Sequence, residues 1–465
     1  MSTGFLRPNV LLIIADDHRS DAIGALGHPV ISTPHLDNLV SRGTSFTRAV
    51  IAGGLMAAVC APSRAALFTG FNPFRADAEP GIQRGGPYEV RLRADISTLP
   101  ERFRREGYDT FFSGKWHNDV PSLLRSFAYG DMIFHGGMCD HERVPVRSME
   151  EISRGAQERI ATGFSTALFC GAAEEFIRRR AGADGDTRDN PFFACVALTS
   201  PHDPRTPPPS YRARYSASEI PLPVNFLPEH AFDNGELLVR DEQLIPHPIS
   251  PLVLREHLAD YYGMISHHDA WIGRLVSTLA STGQLGNTIV VYTGDHGLAL
   301  GSHGLLGKQN LYEHSVRVPL ILAGPGIPER LRSDSLCYAY DLYATLCELA
   351  GISIPKEIDS RSLVPAFTVE SWCGRDHVGS AYMDAQRMIE DRRWKLILYR
   401  VGGRERMQLF DLENDPYERF DLASLPAHRE TVAGLLRGLE SWQTEMGDRW
   451  LKADPVSEKP GSPLP

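Results

Sequence analysis

Short apolar runs alternate with longer segments of helical periodicity along most of the chain. Residues 9–15 (NVLLIIA) form a continuous apolar run, as expected for a central strand that is buried on both faces. Further strands are predicted at 108–112, 192–198, 288–293 and 319–323, and helices at 96–106, 167–180, 252–282 and 341–350. Strands that alternate with helices in this way predict an α/β domain built on a parallel sheet.

The pattern changes near residue 378. Residues 394–399 and 407–411 are predicted to pair as an antiparallel hairpin around a Gly-Gly turn, and a last helix is predicted at 428–446. The chain is too long for one ordinary core. We therefore predict a large α/β domain at 1–375, a small α+β unit with an antiparallel sheet at 376–450 and a flexible tail at 451–465.

Composition and charge exclude several classes of partner. The chain is 42% hydrophobic and 23% charged, with a formal net charge of −10, which argues against nucleic acid or an anionic membrane as the main partner. Seven cysteines without a CxxC spacing fit a reducing compartment better than a disulfide scaffold. The apolar run at 10–15 is too short for a signal peptide and leads directly into two aspartates, so we expect a cytoplasmic protein.

Reactive side chains follow four of the predicted strands. They are Asp16 and Asp17, Lys115 and His117, His202, and Asp295 and His296. In open parallel sheets, ligands bind beyond the carboxyl ends of the strands, so these side chains are expected to converge on one crevice. Each of them alone is more often a turn residue, a helix cap or a satisfied histidine than a functional residue. Their recurrence at four strand ends favours a functional site.

The acidic members of this set predict a metal. Asp16, Asp17 and Asp295 would repel one another without a cation, and three hard oxygen ligands suit Ca²⁺ first, with Mg²⁺ as an alternative. A nitrogen from His296 could also admit Mn²⁺ or Zn²⁺. The positive and hydrogen-bonding side would come from Arg64, Lys115, His117, His202 and Lys308. Together the two sides suit a tetrahedral oxyanion between metal and cations.

Cys60 lies just before the start of a predicted helix, in which Pro62 suits the first turn and Gly70 the end. Arg64, one turn on, can reach back over the helix start. From the residues alone, Cys60 is either a small buried apolar side chain or a thiolate nucleophile. Phosphatase-like spacing, with an arginine six residues after the cysteine, is absent, because Ala66 holds that place.

A third interpretation comes from a resemblance. Cys60-x-Pro-Ser-Arg, followed by Leu-x-Thr-Gly, resembles the signature of the type I sulfatases, in which this cysteine is oxidised to formylglycine. Over about 8–445 the chain is similar to sulfatases in further blocks, in the same order, at 9–17, 33–39, 114–117, 200–202, 294–297, 307–308, 313–320, 394–396 and 409–412. The resemblance implies an alkaline phosphatase-like fold, with a large, mixed, mostly parallel sheet sandwiched by helices in the catalytic domain.

The resemblance also implies roles for individual residues. The metal would be bound by Asp16, Asp17, Asp295, His296 and the modified Cys60. His296 stands where many sulfatases have asparagine. Arg64 would hold the formylglycine, His117 would accept a proton from it, and the sulfate oxygens would be held by Lys115, His202 and Lys308. His202 or Lys308 would also protonate the leaving alcohol.

The implied activity is hydrolysis of a sulfate monoester by a hydrated formylglycine, matured by a formylglycine-generating enzyme. The 294–308 block is similar to that of sugar sulfatases and favours a sulfated carbohydrate, with small aryl or alkyl sulfates as alternatives. A phosphonate monoester or phosphodiester hydrolase of the same superfamily is the nearest rival. A non-catalytic metal- and sulfate-binding protein with unmodified Cys60 is a rival of another class.

Two variable segments, 74–95 and 203–250, are expected to line the outer pocket. Arg75, His135, Arg205 and Arg212 could meet an anionic sugar there, or be ordinary solvated loop charges.

Overall fold

The structure is a computed structural model that describes residues 7–86, 88–182, 190–448 and 450. The tail predicted at 451–465 lies outside these residues, as do 183–189 in a polar loop expected before the strand at 192. Across the described ranges, no helix is both long and apolar enough to cross a membrane.

The secondary structure follows the predicted alternation. The strands are β1 Asn9–Ala15, β2 Gly43–Phe46, β3 Ala49–Val50, β4 Gly53–Gly54, β5 Asp109–Lys115, β6 Tyr129–Phe134, β7 Arg143–Val146, β8 Arg159–Thr162, β9 Phe192–Ala197, β10 Thr288–Gly294, β11 Leu320–Ala323, β12 Leu331–Ser333, β13 Cys337–Tyr338, β14 Val378–Tyr382, β15 Gln386–Glu390, β16 Trp394–Val401 and β17 Arg404–Asp411. The helices are α1 Pro34–Ser41, α2 Cys60–Thr69, α3 Pro73–Ala76, α4 Leu99–Arg105, α5 Val120–Ser126, α6 Met149–Ser153, α7 Ser165–Arg180, α8 Pro209–Arg212, α9 Pro251–Ser281, α10 Glu313–Val316, α11 Leu342–Leu349, α12 Pro365–Thr368 and α13 Arg429–Met446.

An eight-stranded sheet organises the large domain, in the order β12-β2-β11-β10-β1-β9-β5-β6. The pairs β1–β10, β1–β9, β5–β9, β5–β6 and β12–β2 are parallel. Only β11 runs against its neighbours β10 and β2. The predicted fold class, a mixed and mostly parallel sheet, is therefore confirmed.

The central strand β1 shows why this sheet has helices on both faces. Val10, Leu12 and Ile14 point into one core, which includes side chains of α2, α4 and α11. Leu11 and Ile13 point into the other, which includes side chains of α1, α7 and α9. Full burial of each such aliphatic side chain contributes about 1.5–3 kcal/mol. An uninterrupted apolar run is the sequence signature of a strand covered in this way.

The small sheet has the order β17-β16-β15-β14-β4, with antiparallel pairing from β14 to β17. Its last strand, β4, comes from the large domain just before Cys60 and pairs in parallel with β14. Helix α13 covers the sheet through Leu435, Leu439 and Trp442. The predicted hairpin is confirmed: Gly402 and Gly403 have φ of 55° and 70°, as a two-residue type I′ turn requires. The domain boundary near 375 stays a prediction.

Several elements were not predicted. The short elements between 119 and 162, and strands β14 and β15, carry little periodicity; β8, for example, is almost wholly exposed. Strand β5 was predicted to end at 112 but continues to Lys115. Glycine at 114 allows this continuation: its φ is 102°, and it lies so close to β9 that a Cβ would be 1.9 Å from the Ala197 carbonyl oxygen. This extension places Lys115 on the sheet itself.

A buried charge cluster joins the small sheet to helix α10. Lys395 on β16 is fully buried, and its Nζ donates to Glu313 Oε1 at 2.8 Å and lies 2.9 Å from Glu418 Oε1. Lys395→Met should lower the free energy of unfolding by about 3–5 kcal/mol, because it leaves Glu418 buried without its cation and Glu313 with only Arg317, at 3.2 Å. Urea denaturation at neutral pH measures this loss.

The neighbouring Arg393 provides the control for that measurement. Its side chain is 47% exposed and pairs with Asp411 at the surface. Arg393→Met should change stability far less, since solvent screens the half-exposed guanidinium and the Asp411 carboxylate keeps its hydrogen bond from Asn414. Equal losses for the two variants would contradict the role given to Lys395.

Candidate active site

The predicted site residues converge at the carboxyl edge of the large sheet. Asp16 and Asp17 follow β1, Asp295 and His296 follow the adjacent β10, and Lys115 ends β5. Helix α2 starts opposite them with Cys60 as its first residue, not just after Cys60 as predicted. The pairing of β1 with β10 and β9 brings residues almost 280 positions apart into contact; the Asp17 N–H, for example, donates to Asp295 Oδ1 at 3.4 Å.

Three carboxylates surround one imidazole nitrogen. His296 Nε2 lies 3.7 Å from Asp16 Oδ1, 3.2 Å from Asp17 Oδ1 and 3.5 Å from Asp295 Oδ1. All four side chains are buried. The other ring nitrogen, Nδ1, is 2.9 Å from the Gly297 carbonyl oxygen and can donate to it. In the neutral ring this leaves a lone pair on Nε2 directed at the carboxylates, the orientation of a metal-ligating histidine.

These residues fit a divalent metal. Asp16 Oδ1 and His296 Nε2 are buried without a hydrogen-bond partner. Ligand atoms of Asp16, Cys60, Asp295 and His296 lie within 4.8 Å of one another, and Asp17 belongs to an overlapping group with Asp16 and His202. Burial would lower the pKa of His296, but Asp295 and Asp17 raise this pKa to about 9. The carboxylates therefore favour positive charge where a cation would bind.

Each metal-side carboxylate is paired with a buried cation. Lys115 Nζ donates to Asp16 Oδ2 at 2.6 Å, and Lys308 Nζ donates to Asp17 Oδ1 at 2.8 Å. Arg64 Nε donates to Asp295 Oδ2 at 2.8 Å, and another of its N–H groups donates to the Lys115 carbonyl at 2.6 Å. Buried charges need such partners, so the cations are fixed in place before any ligand arrives.

Cys60 lies where these cations meet. Its Sγ is 3.4 Å from Lys115 Nζ. Burial would raise the pKa of the thiol, but Lys115, His117 and Lys308 hold it well below its ordinary value. Burial also lowers the pKa of His117, although the nearby Cys60 opposes this. The position at the start of α2 is thus strongly electropositive and suits an anion or an oxyanion.

Two site residues have strained backbones. Asp17 has φ of 66° and His117 has φ of 58°, in the left-handed region that residues other than glycine rarely adopt. Each such conformation costs roughly 1–3 kcal/mol and persists only where the surroundings impose it. Strain at both places indicates that their side-chain directions matter to the site.

A cavity of about 600 Å³ opens above Cys60. As predicted, both variable segments line it. Besides Cys60, His117, His202 and Lys308, its wall contains Ala57, Ala58, Arg84, Tyr88, Gly137, Met138, Glu236, Val239, Arg240, Asp241, Gln309 and Met383. The polar residues of this second group were missed, because nothing in an aperiodic loop sequence shows which of its charges face inward.

The four side chains proposed from sequence to meet an anionic sugar, Arg75, His135, Arg205 and Arg212, do not line this cavity. Arg75 pairs with Asp359, and Arg212 pairs with Asp260 at 2.5 Å. Arg205 lies over the ring of Tyr261. For the three arginines, the interpretation as ordinary loop charges is the better one, and Arg84 and Arg240 are the cavity's loop cations instead. His135 is not a charge, because burial lowers its pKa to about 4.

Comparison with models of known protein families identifies the family of this chain. A model described as "Sulfatase" matches residues 8–352, and one described as "N-sulphoglucosamine sulphohydrolase, C-terminal" matches 301–445. The chain belongs to the sulfatase family. The resemblance inferred from the Cys60 signature is thereby confirmed, and with it the activity class, sulfuric ester hydrolysis. Sulfatases generally use a metal and formylglycine, and in this one Cys60 belongs to a group of side chains that could hold a metal ion.

Individual relatives cover almost the whole sulfatase chain. An arylsulfatase of Clostridium perfringens is 27% identical over 97% of this chain and 99% of its own. A solved structure of a protein in complex with its substrate D-glucosamine-2-N,6-O-disulfate has a TM-score of 0.78 at 22% identity, over 97% of this chain and 99% of that one. A phosphonate monoester hydrolase of Agrobacterium radiobacter has a TM-score of 0.74 at 24% identity, over 98% and 100%.

Proposed function

We propose that this sulfatase hydrolyses a sulfate monoester of a carbohydrate, using formylglycine made from Cys60 and one divalent metal, Ca²⁺. The observation that carries the proposal is the position of Cys60 on the cavity floor, between the carboxylates around His296 and the cations Lys115 and Lys308. A tetrahedral sulfate bound there would face the metal on one side and the ammonium groups of the two lysines on the other.

The chain's own residues would share the work around that sulfate. Lys115, Lys308 and His202 would hold its oxygens, and Arg64 would keep position 60 and Asp295 in place. His117, beside Cys60, would take a proton from the modified residue, and His202 or Lys308 would give one to the leaving oxygen. When present, the hydrated formylglycine supplies an attacking hydroxyl and a second hydroxyl that expels sulfate, and the metal makes the first easier to deprotonate.

The outer cavity supports a polar alcohol. Glu236, Asp241, Gln309 and Arg84 present hydrogen-bonding groups, and Tyr88 adds an aromatic surface, a combination that suits a ring carrying several hydroxyls. The relative bound to a sulfated glucosamine supports a sugar as well. The Clostridium arylsulfatase keeps small aryl sulfates as an alternative, and the phosphonate hydrolase keeps a second candidate function open.

A panel of esters tests the proposal. We expect kcat/KM to be at least about tenfold higher for a sulfated monosaccharide than for a phosphonate monoester or a phosphodiester. This ratio corresponds to about 1.4 kcal/mol of additional transition-state stabilisation. Steady-state kinetics on matched 4-nitrophenyl sulfate, phosphodiester and phenylphosphonate esters, followed by sugar sulfates, measures it. Faster hydrolysis of the phosphonate would make the second function the primary one.

Mass spectrometry of the peptide containing Cys60 tests the modification. In protein co-expressed with a formylglycine-generating enzyme, this peptide should be about 18 Da lighter than its sequence requires, because the thiol is replaced by an aldehyde. The peptide containing Cys195, a buried core cysteine, should keep its mass. An unmodified and inactive protein under these conditions would favour the non-catalytic binding protein.

A further inference from the structure

A short 3-10 helix, Arg240–Gln243, contributes Arg240 and Asp241 to the cavity wall near Lys308. It belongs to the long aperiodic excursion that crosses the surface between β9 and α9. Three consecutive side chains of this helix each hold a different part of the machinery. None of the three was proposed as a site residue from sequence.

Asp241, the middle side chain, contacts Lys308 and its neighbour. Its Oδ2 accepts from Gln309 Nε2 at 2.8 Å and lies 3.8 Å from Lys308 Nζ, and its Oδ1 accepts from Arg240 at 2.6 Å. Burial would raise the pKa of this carboxyl, but Lys308 and His202 hold it below the ordinary value. Asp241 is therefore a fixed anion 93% removed from solvent.

The position of Lys308 depends on two opposing carboxylates. Its Nζ donates to Asp17 on the metal side, at 2.8 Å, and lies 3.8 Å from Asp241 on the cavity side. Without Asp241, the attraction of Asp17 would be unopposed and would draw the ammonium group away from the cavity. The two contacts together hold Nζ between the metal side and the place where the ester oxygen would lie.

Glu242 holds the backbone that carries Lys308. Its carboxylate accepts the N–H groups of Leu306 at 2.6 Å and Gly307 at 2.8 Å. The two segments are so close that a Cβ at Gly307 would lie 2.9 Å from the Cβ of Asp241. This contact fixes the loop directly before Lys308.

Arg240 extends the same support to His202. It donates two hydrogen bonds to the Asp203 carboxylate, at 2.5 and 3.1 Å. Asp203 in turn fixes the ring, because His202 Nδ1 is 2.8 Å from the Asp203 carbonyl oxygen and 3.4 Å from the carboxylate. A proton held on Nδ1 leaves Nε2 for the substrate.

We propose that Asp241 is a positioning residue that holds Lys308 directly, and His202 through Arg240, for donation of a proton to the leaving oxygen. The inference rests on the proposed function. As the sulfur–oxygen bond of the ester breaks, the sulfuryl group passes to the nucleophile at position 60 and the leaving oxygen gains the proton. The helix Arg240–Gln243 is thus the part of the variable surface that completes the acid side of the site.

The leaving group provides a readout that a purely structural role would not change. A nitrophenolate leaves readily without a proton, whereas a phenolate depends more on proton donation. Misplacement of Lys308 and His202 should therefore slow hydrolysis of phenyl sulfate more than that of 4-nitrophenyl sulfate. In Asp241→Asn we expect kcat for phenyl sulfate to fall on the order of tenfold further than kcat for 4-nitrophenyl sulfate. The metal content and formylglycine content should stay at wild-type levels.

Three further variants complete the experiment. Asp241→Glu keeps the negative charge and should recover part of the kcat lost on phenyl sulfate. Arg240 is about half exposed, so Arg240→Gln should fold even if Asp241→Asn does not, and it tests whether His202 is held through Arg240. Gln243→Ala is the matched control, because its exposed side chain donates only to the Leu237 carbonyl. We expect Gln243→Ala to lower kcat for the two esters by the same factor, if at all.

Each outcome separates the two proposals. Equal losses on the two esters for both Asp241→Asn and Arg240→Gln would overturn the positioning role, while the sulfatase function would stand. A mature wild-type enzyme that hydrolyses neither these esters nor any sugar sulfate would overturn the proposed function itself.

Discussion

Cys60→Ala should lower turnover of every sulfate ester by at least about 10⁴-fold, the range found when a covalent nucleophile is removed. Alanine has the highest helix propensity and no group that can be converted to an aldehyde, so the start of α2 should still form. The side chain is 2% exposed, and its loss removes only one sulfur atom from the cavity floor. Steady-state kinetics and thermal unfolding of the same preparation measure the two effects separately.

Cys195→Ala is the matched control for this variant. Cys195 is a buried cysteine on β9, inside the apolar core, and burial raises the pKa of its thiol so that it stays neutral. Its replacement should cost stability through lost packing and leave turnover intact. Retained activity in Cys60→Ala would refute the role of Cys60, even though the chain would remain a member of the sulfatase family.

The sequence predicted the parts of the site that follow regular elements. The run at 9–15 predicts a strand buried on both faces, and a strand fixes where its carboxyl end lies. Asp16, Lys115 and Asp295 could therefore be brought together from strand ends alone, before any resemblance was considered. Cys60 needed the resemblance, because a cysteine at a helix start has several ordinary explanations.

The remainder of the site could not be predicted, for physical reasons. Asp241 and Arg84 come from segments without periodicity, and the hydrogen bond from Gln309 to Asp241 spans 68 residues. Whether such a side chain faces a cavity or solvent depends on how the whole excursion packs. The left-handed backbones of Asp17 and His117 likewise follow from tertiary constraints, not from local propensity.

The link between the two sheets was also hidden in the sequence. Strand β4 has only two residues, Gly53 and Gly54, which carry no side chains to form a strand pattern. Its partner β14 was not predicted either, although both of its faces are buried. Because β4 lies a few residues before Cys60, the small sheet supports the start of α2. The C-terminal region therefore contributes to the position of Cys60.

Asp295→Asn should remove metal and activity together. Asp295 Oδ1 lies 3.5 Å from His296 Nε2 within the metal-binding group, and Asp295 Oδ2 accepts from Arg64. Asparagine can still accept that hydrogen bond, so the fold should survive, but the group loses one negative charge. We expect kcat to fall on the order of 10²- to 10³-fold, as when a group that stabilises transition-state charge is removed. Elemental analysis of the purified protein should find less bound metal than in the wild type.

A thermal shift with added Ca²⁺ checks the metal site without measuring activity. A ligand that binds only the folded state stabilises it by about 2.7 kcal/mol at a concentration of 100 Kd, so the Tm of metal-stripped wild-type protein should rise with Ca²⁺ and that of Asp295→Asn should rise less. Asp384→Asn is the control: this exposed carboxylate pairs with Arg84 at the cavity mouth and should leave the Ca²⁺ shift unchanged. If the Asp295→Asn protein kept both its metal and the full rise in Tm with Ca²⁺, the cation would bind away from Asp295, and the proposed metal site would be wrong.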